Sequence, residues 1–132
     1  MKYRLDSNIL VDILQGRFHL DRKLSEVGWE NCCISEISVV ELLYGAEISS
    51  RREENIAAVE DLISDLEIIP FSVCIKEFCH QKALLKKNGK LIEDYDLFIG
   101  STAIALDCIL VSENVKHLSR LEGIKLENWV VR

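Results

Sequence analysis

Apolar residues along this chain fall into two rhythms, short unbroken runs and longer stretches at helical spacing, and the two alternate. Tyr3-Arg4-Leu5 predicts a short first strand, after which Ile9, Leu10, Ile13 and Leu14 recur at helical spacing up to Gly16. A second helix is expected over Leu20 to Val27, and a brief strand at Cys32-Cys33-Ile34. From Ser35 to about Ser49 the pattern is helical, with Ile37, Val40, Tyr44 and Ile48 along one stripe. Glu53 to Leu66 reads as an amphipathic helix with Ile56, Val59, Leu62, Ile63 and Leu66 inward. Leu66 to Ile69 is a third strand, stopped by Pro70; a helix over Ser72 to Lys87 then ends at the turn pair Asn88-Gly89. Tyr95 to Leu106 is apolar almost all round, so this helix should be central. Cys108 to Val111 is a buried strand, and Lys125 to Trp129 a candidate last one.

Short apolar strands separated by helices predict a parallel sheet covered on both faces. The expected fold is a three-layer α/β/α domain with a central parallel sheet, residues 1–132 forming one domain. The chain's 132 residues suffice for one core, burying roughly 68% of the surface the unfolded chain exposes. No window approaches the ~18 apolar residues of a membrane helix. The opening Met1-Lys2-Tyr3-Arg4-Leu5-Asp6 meets a charge too early for a signal peptide, so a cytoplasmic protein is expected. Five cysteines, an odd number without a C-x-x-C pair, agree, and read as reduced thiols in apolar surroundings. Cys74, Cys79 and His80 have poor zinc spacing and no second ligand pair.

Net charge changes the picture. At −6, with 22 acids against 16 bases, the chain lacks the bulk positive charge that holds a polyanion. Binding to nucleic acid would require a metal to supply positive charge locally. In open parallel sheets, ligand sites gather beyond the carboxyl ends of the strands. Asp6 ends the first strand, Glu41 lies about two turns into the helix after the second, and Asp96 starts the apolar helix feeding the Cys108–Val111 strand. Ser112 to Asn114 leave the end of that strand. Asp6 could instead cap the first helix, and Asp94 or Asp96 the apolar one. Glu41 has no Lys or Arg three or four residues away, whereas Glu47 has Arg51 one turn on as a surface pair.

Carboxylates held together repel by about 4 kcal/mol at ~4 Å and an effective dielectric of ~20. Such a cluster keeps a proton or binds a hard divalent cation through oxygen. Mg²⁺ or Mn²⁺ fits a site offering oxygens and no His or Cys. Three carboxylates with two such ions would sum to about +1, making a phosphate site.

Four stretches together resemble the PIN-domain family and its VapC-type toxins. They are Leu5-Asp6-Ser7-Asn8-Ile9-Leu10, Ser38-Val39-Val40-Glu41-Leu42-Leu43-Tyr44-Gly45, Asp94-Tyr95-Asp96-Leu97-Phe98-Ile99-Gly100 and Val111-Ser112-Glu113-Asn114-Val115-Lys116-His117-Leu118. The ending Leu126-Glu127-Asn128-Trp129 is similar too, so the likeness spans essentially the whole chain. It implies an endoribonuclease that hydrolyses RNA phosphodiesters with metal-activated water, the toxin of a type II toxin–antitoxin pair. It also implies Asp6, Glu41 and Asp96 as metal ligands, Asn114 at the fourth site position, and Ser7 and Ser112 in support. A frequent acid at that fourth position is Asn114 here, with Glu113 beside it and Asp94 as an extra acid that could compensate. Asp12 reads as a surface residue of the first helix. Implied partners are RNA, a small VapB-type antitoxin laid over the acids, and a second copy in a homodimer. Arg51-Arg52 and Lys86, Lys87 and Lys90 are either RNA contacts or solvated charges at helix ends.

Two rivals remain. A phosphoacceptor signalling domain would need an acidic doublet after the first strand and a lysine after a late one, and neither is present. A catalytically idle PIN-like module that binds RNA or protein is compatible with Asn114, and Mn²⁺-dependent cleavage would separate it from a nuclease.

Overall fold

The computed structural model describes residues 2–132; Met1, the first residue of the stretch read for a leader, lies outside them. Five strands, β1 (Tyr3–Leu5), β2 (Cys32–Ser35), β3 (Glu67–Ile69), β4 (Ile109–Val111) and β5 (Leu126–Glu127), form one sheet in the order β3-β2-β1-β4-β5. Every pairing is parallel, with Tyr3 beside both Cys32 and Ile109, and Leu5 beside Val111. The helices are α1 (Ser7–Leu14), α2 (Leu20–Val27), α3 (Glu36–Glu47), α4 (Arg52–Ser64), α5 (Ile75–Lys87), α6 (Asp94–Ala105) and α7 (Val115–Leu118). Short 3₁₀ turns at Trp29–Asn31 and Phe71–Cys74 and the single-turn α7 were not foreseen. Gly89 takes a φ of 66° just past α5, the left-handed turn that Asn88-Gly89 predicts.

Alternating side chains of the strands feed two cores. Leu5, Cys32, Ile34 and Val111 pack with Ile9, Leu10, Leu20, Leu24, Leu42, Val59 and Leu62 from α1 to α4. Leu110, the neighbour of Val111, points the other way and packs with Leu85, Leu97, Ile99, Ala103 and Leu118 from α5 to α7. This is the expected three-layer α/β/α fold. Burial of α6 on nearly all sides, from Leu97 through Ala103, bears out its central place.

Strand order reverses at β1. The chain first builds outward through β2 and β3, then returns to lay β4 on the free side of β1. A reversal of this kind opens a crevice at the carboxyl ends of the two strands. Asp6 leaves β1 there, and its N–H donates to Val111 O at 2.9 Å, tying it to the end of β4.

Several local expectations need correction. The α3 stripe exists but faces outward, with Val40, Tyr44 and Ile48 52%, 65% and 67% exposed. Helix α3 carries apolar residues on two sides, and Leu42 and Ala46, with Ser38, are the ones buried. Asp12 is buried rather than a surface residue, 3.7 Å from Arg17. Glu47 pairs with Arg52 at 2.6 Å, while Arg51 turns to Glu54 at 3.5 Å. Cys32, Cys33, Cys74 and Cys108 are buried and outside any disulfide, but Cys79 is exposed. Burial pushes the Cys32 thiol up to about 11 and Cys33 to about 12, so both stay protonated. Among the described residues no helix is long and apolar enough to cross a membrane.

Candidate active site

The crevice between β1 and β4 is floored by Asp6, which is 5% exposed. Extended backbone at Asp6 makes it the N-cap of α1, and Oδ1 accepts from the Ser7 N–H at 2.6 Å. The alternative capping role and the site role therefore coincide, since Oδ2 is free to accept from Ser112 Oγ at 2.7 Å. Ser112, at the end of β4 and fully buried, accepts in turn from the Asn114 N–H at 2.9 Å. The Asn114 side chain donates through Nδ2 to Asp96 Oδ2 at 3.1 Å. On the other side, Ser7 Oγ donates to Glu41 Oε1 at 2.6 Å. One unbroken path thus runs Glu41–Ser7–Asp6–Ser112–Asn114–Asp96, drawing α3, α1, β1, β4 and α6 onto one rim. His117 Nδ1 lies 3.0 Å from Asn114 Oδ1. With the amide NH₂ spent on Asp96, that oxygen accepts, so His117 carries its proton on Nδ1.

Electrostatics set the character of the rim. Burial raises the Glu41 carboxyl above the ordinary range; the Ser7 hydrogen bond opposes this, and Asp6 and Asp96 add to it. Burial likewise raises Asp96, with Asp6 and Glu93 adding and His117 and Asn114 opposing. Desolvation and mutual repulsion disfavour charge at both. The nearest compensation from within is Arg4, a fully buried guanidinium on β1 whose Nη2 donates to Ser38 Oγ at 3.3 Å and whose Nη1 donates to Leu5 O. Burial pulls its pKa down, and Asp6 is the strongest influence holding it up. Its Nε has no partner among the described residues.

The donor set is all oxygen, carboxylates and one amide, which suits a hard divalent cation with water completing the shell. Among the described residues no three His, Cys, Asp or Glu side chains are gathered tightly enough to enclose an ion by themselves. Hydroxyls and an amide instead bond to oxygens of these carboxylates, at Glu41 Oε1, Asp6 Oδ2 and Asp96 Oδ2.

Over residues 3–123 the chain matches the PIN domain family. It belongs to the PIN-domain family. Ribonuclease VapC2 of Haemophilus influenzae is 39% identical over 133 aligned residues, covering 98% of this chain and 99% of that protein. The tRNA(fMet)-specific endonuclease VapC of Salmonella typhimurium is 31% identical, covering 98% of each. Among solved structures, DNA-bound VapBC from Salmonella typhimurium superposes with a TM-score of 0.92 at 30% identity, covering 98% of both chains. VapBC2 from Rickettsia felis, bound to a DNA fragment from its promoter, gives 0.91 at 33%, covering 98% of this chain and 99% of that one. The VapC resemblance read from the four motifs therefore holds.

Within this PIN domain, Asp6, Ser7, Glu41, Asp96, Ser112 and Asn114 meet at one place. Asp94 does not join them: it is exposed and its carboxylate pairs with Lys82 at 3.0 Å. Two residues along the first turn of α6 rotate a side chain by about 200°, which sends Asp96 to the rim and Asp94 to α5. Glu113 is also turned away, held at 3.0 Å by Arg132. The acid that does approach Asp96 is Glu93. Sequence reading missed Glu93, Arg4 and His117. A charge inside an otherwise apolar strand marked Arg4, and helical i, i+3 spacing from Asn114 marked His117.

Proposed function

We propose that this chain is a divalent-metal-dependent endoribonuclease, the toxin of a type II toxin–antitoxin pair, acting on RNA in the cytoplasm as one domain. The observation that carries the reading is the continuous hydrogen-bonded rim from Glu41 to Asp96, in which partly desolvated carboxylates lack enough internal positive charge. Asp6, Glu41 and Asp96 would hold Mg²⁺ or Mn²⁺, with Asn114 contributing an amide at the fourth position. When bound, such an ion activates water and offsets charge on the phosphate. The residues' own work is orientation. Ser7 aims Glu41, Ser112 fixes Asp6, and Asn114 holds Asp96, which links three acids from distant parts of the chain along one rim. An amide at the fourth position brings no charge, which favours one tightly held ion over two.

For partners, relatives crystallised as VapBC complexes support a small VapB-type antitoxin. The apolar groove beside Glu41, lined by Val11, Leu14, Leu42 and Ala46, and the exposed Val40, Tyr44 and Ile48 offer the surface that such an antitoxin and a second copy in a homodimer would cover. The test is incubation with total cellular RNA in Mn²⁺ or Mg²⁺, with and without EDTA, followed by end-mapping. Discrete ends that vanish with EDTA are expected; intact RNA under every condition would overturn the reading.

A further inference from the structure

Beside the acid rim lies a second hollow of about 500 Å³, between the start of α6, residues 91–93 and α7. Its size is that of a small-ligand site, ~300–1,000 Å³. The hollow carries both signs of charge: Glu93, Asp96 and Asn114 line it together with His117 and Arg120. Six of the chain's sixteen Lys and Arg side chains, Arg17, Arg51, Arg52, Lys82, Lys125 and Arg132, are each taken up in an ion pair. Arg120 is not among them: within the described residues it rests on two backbone carbonyls, Lys90 O at 3.5 Å and Leu91 O at 3.4 Å, both through Nη1. Neutral contacts this long leave a guanidinium able to accept an anion, and its planar fork matches phosphate. Lys86, Lys87 and Lys90 precede this wall in the chain.

We propose that this hollow is a phosphate subsite: Arg120, assisted by His117, holds the RNA backbone phosphate next to the one positioned at Asp6, Glu41 and Asp96. The proposal rests on the ribonuclease reading above. It explains how a chain of net charge −6 engages a polyanion, with one cationic anchor beside the acid cluster rather than a basic face. It also gives His117 a purpose, since its bond to Asn114 leaves Nε2 as the ring's other polar atom.

The test compares the parent with Arg120→Gln, and with Arg51→Gln as a control outside the hollow. Binding of a short, fluorescein-labelled, mixed-sequence single-stranded RNA is followed by anisotropy in Ca²⁺ across a range of KCl, with strand integrity checked on a gel. Cleavage of total RNA in Mn²⁺ is run in parallel. Losing one phosphate contact should flatten the slope of log affinity against log salt by about 0.7 and weaken binding about five- to tenfold. Arg51→Gln should do neither. Gln is too short to keep the contacts to the Lys90 and Leu91 carbonyls, so the melting temperature is read beside binding to register loss of that brace, and Arg120→Lys, which keeps the charge, should restore the slope. A parental slope in Arg120→Gln, or an equal loss in Arg51→Gln, would overturn the subsite. If binding depends on Arg120 but the parent leaves RNA intact, the phosphate site stands and the nuclease reading falls. If RNA is cut and Arg120→Gln behaves as the parent, the nuclease stands and the subsite falls.

Discussion

Replacing Asp96 by Asn separates the electrostatic account of the rim from a purely structural one. The new amide oxygen can occupy the place of Oδ2 and accept the bond from Asn114 Nδ2, so no buried group is left unpaired. What disappears is a negative charge that Asp6 and Glu93 repel. An unscreened pair ~4 Å apart at an effective dielectric of ~20 would be worth about 4 kcal/mol. Asp96 is only half-buried, so solvent screening reduces this to about 1 kcal/mol. For a chain of this length that is roughly 3–5 °C in melting temperature. In EDTA at neutral pH the variant should therefore melt above the parent. With Mn²⁺ at about 100 times its Kd the parent should gain about 2.7 kcal/mol, roughly 10 °C, and the variant far less. The pH dependence has a definite sign. Asp96 and Glu41 have folded pKa values raised above their ordinary ones, so their protonated forms favour the fold. That contribution is complete below the ordinary carboxylate range and is lost as pH rises through the raised values. Metal-free parent should lose stability across that window, and Asp96→Asn should show a flatter curve. The assay is a thermal melt in EDTA and in Mn²⁺ at several pH values, beside RNA cleavage. A variant that melts below the parent in EDTA, gains equally from Mn²⁺ and cuts RNA at the parent's rate would refute the reasoning.

Other outcomes follow from the same geometry. Ser112→Ala strips partners from Asp6 Oδ2 and the Asn114 N–H in a fully buried place, and should cost about 1–3 kcal/mol in urea unfolding. Gly100→Ala would set a Cβ 2.2 Å from Leu121 Cδ1 inside the α6–α7 core, a loss of about 1–3 kcal/mol by thermal melt; adding Leu121→Ala should make the Gly100 change itself cheaper. Tyr44→Gln and Ile48→Gln on the exposed side of α3 should each move stability by less than about 0.5 kcal/mol. A large loss from either would mean that this stripe is buried in the isolated chain.

Order and type of the elements were legible in the hydrophobic pattern, because strands buried on both faces and helices of period 3.6 leave different signatures. The Leu20–Val27 helix and the Tyr3–Leu5 strand match their expected bounds. Positions of acids relative to those elements sufficed to bring Asp6, Glu41 and Asp96 to one edge, since a parallel sheet puts all its strand ends on the same side. Rotation about each helix was less legible. Helix α3 is apolar on two sides, and only packing against its neighbours chose Leu42 and Ala46 over Val40, Tyr44 and Ile48. The same holds for α6, where a turn of about 100° per residue divided Asp96 from Asp94. Side-chain partners across the fold were invisible in one dimension. Arg4 close to Asp6, Glu93 beside Asp96, and Arg120 lining one hollow with both acids of α6's start lie far from one another along the chain, and their chemistry arises from distances that folding alone creates.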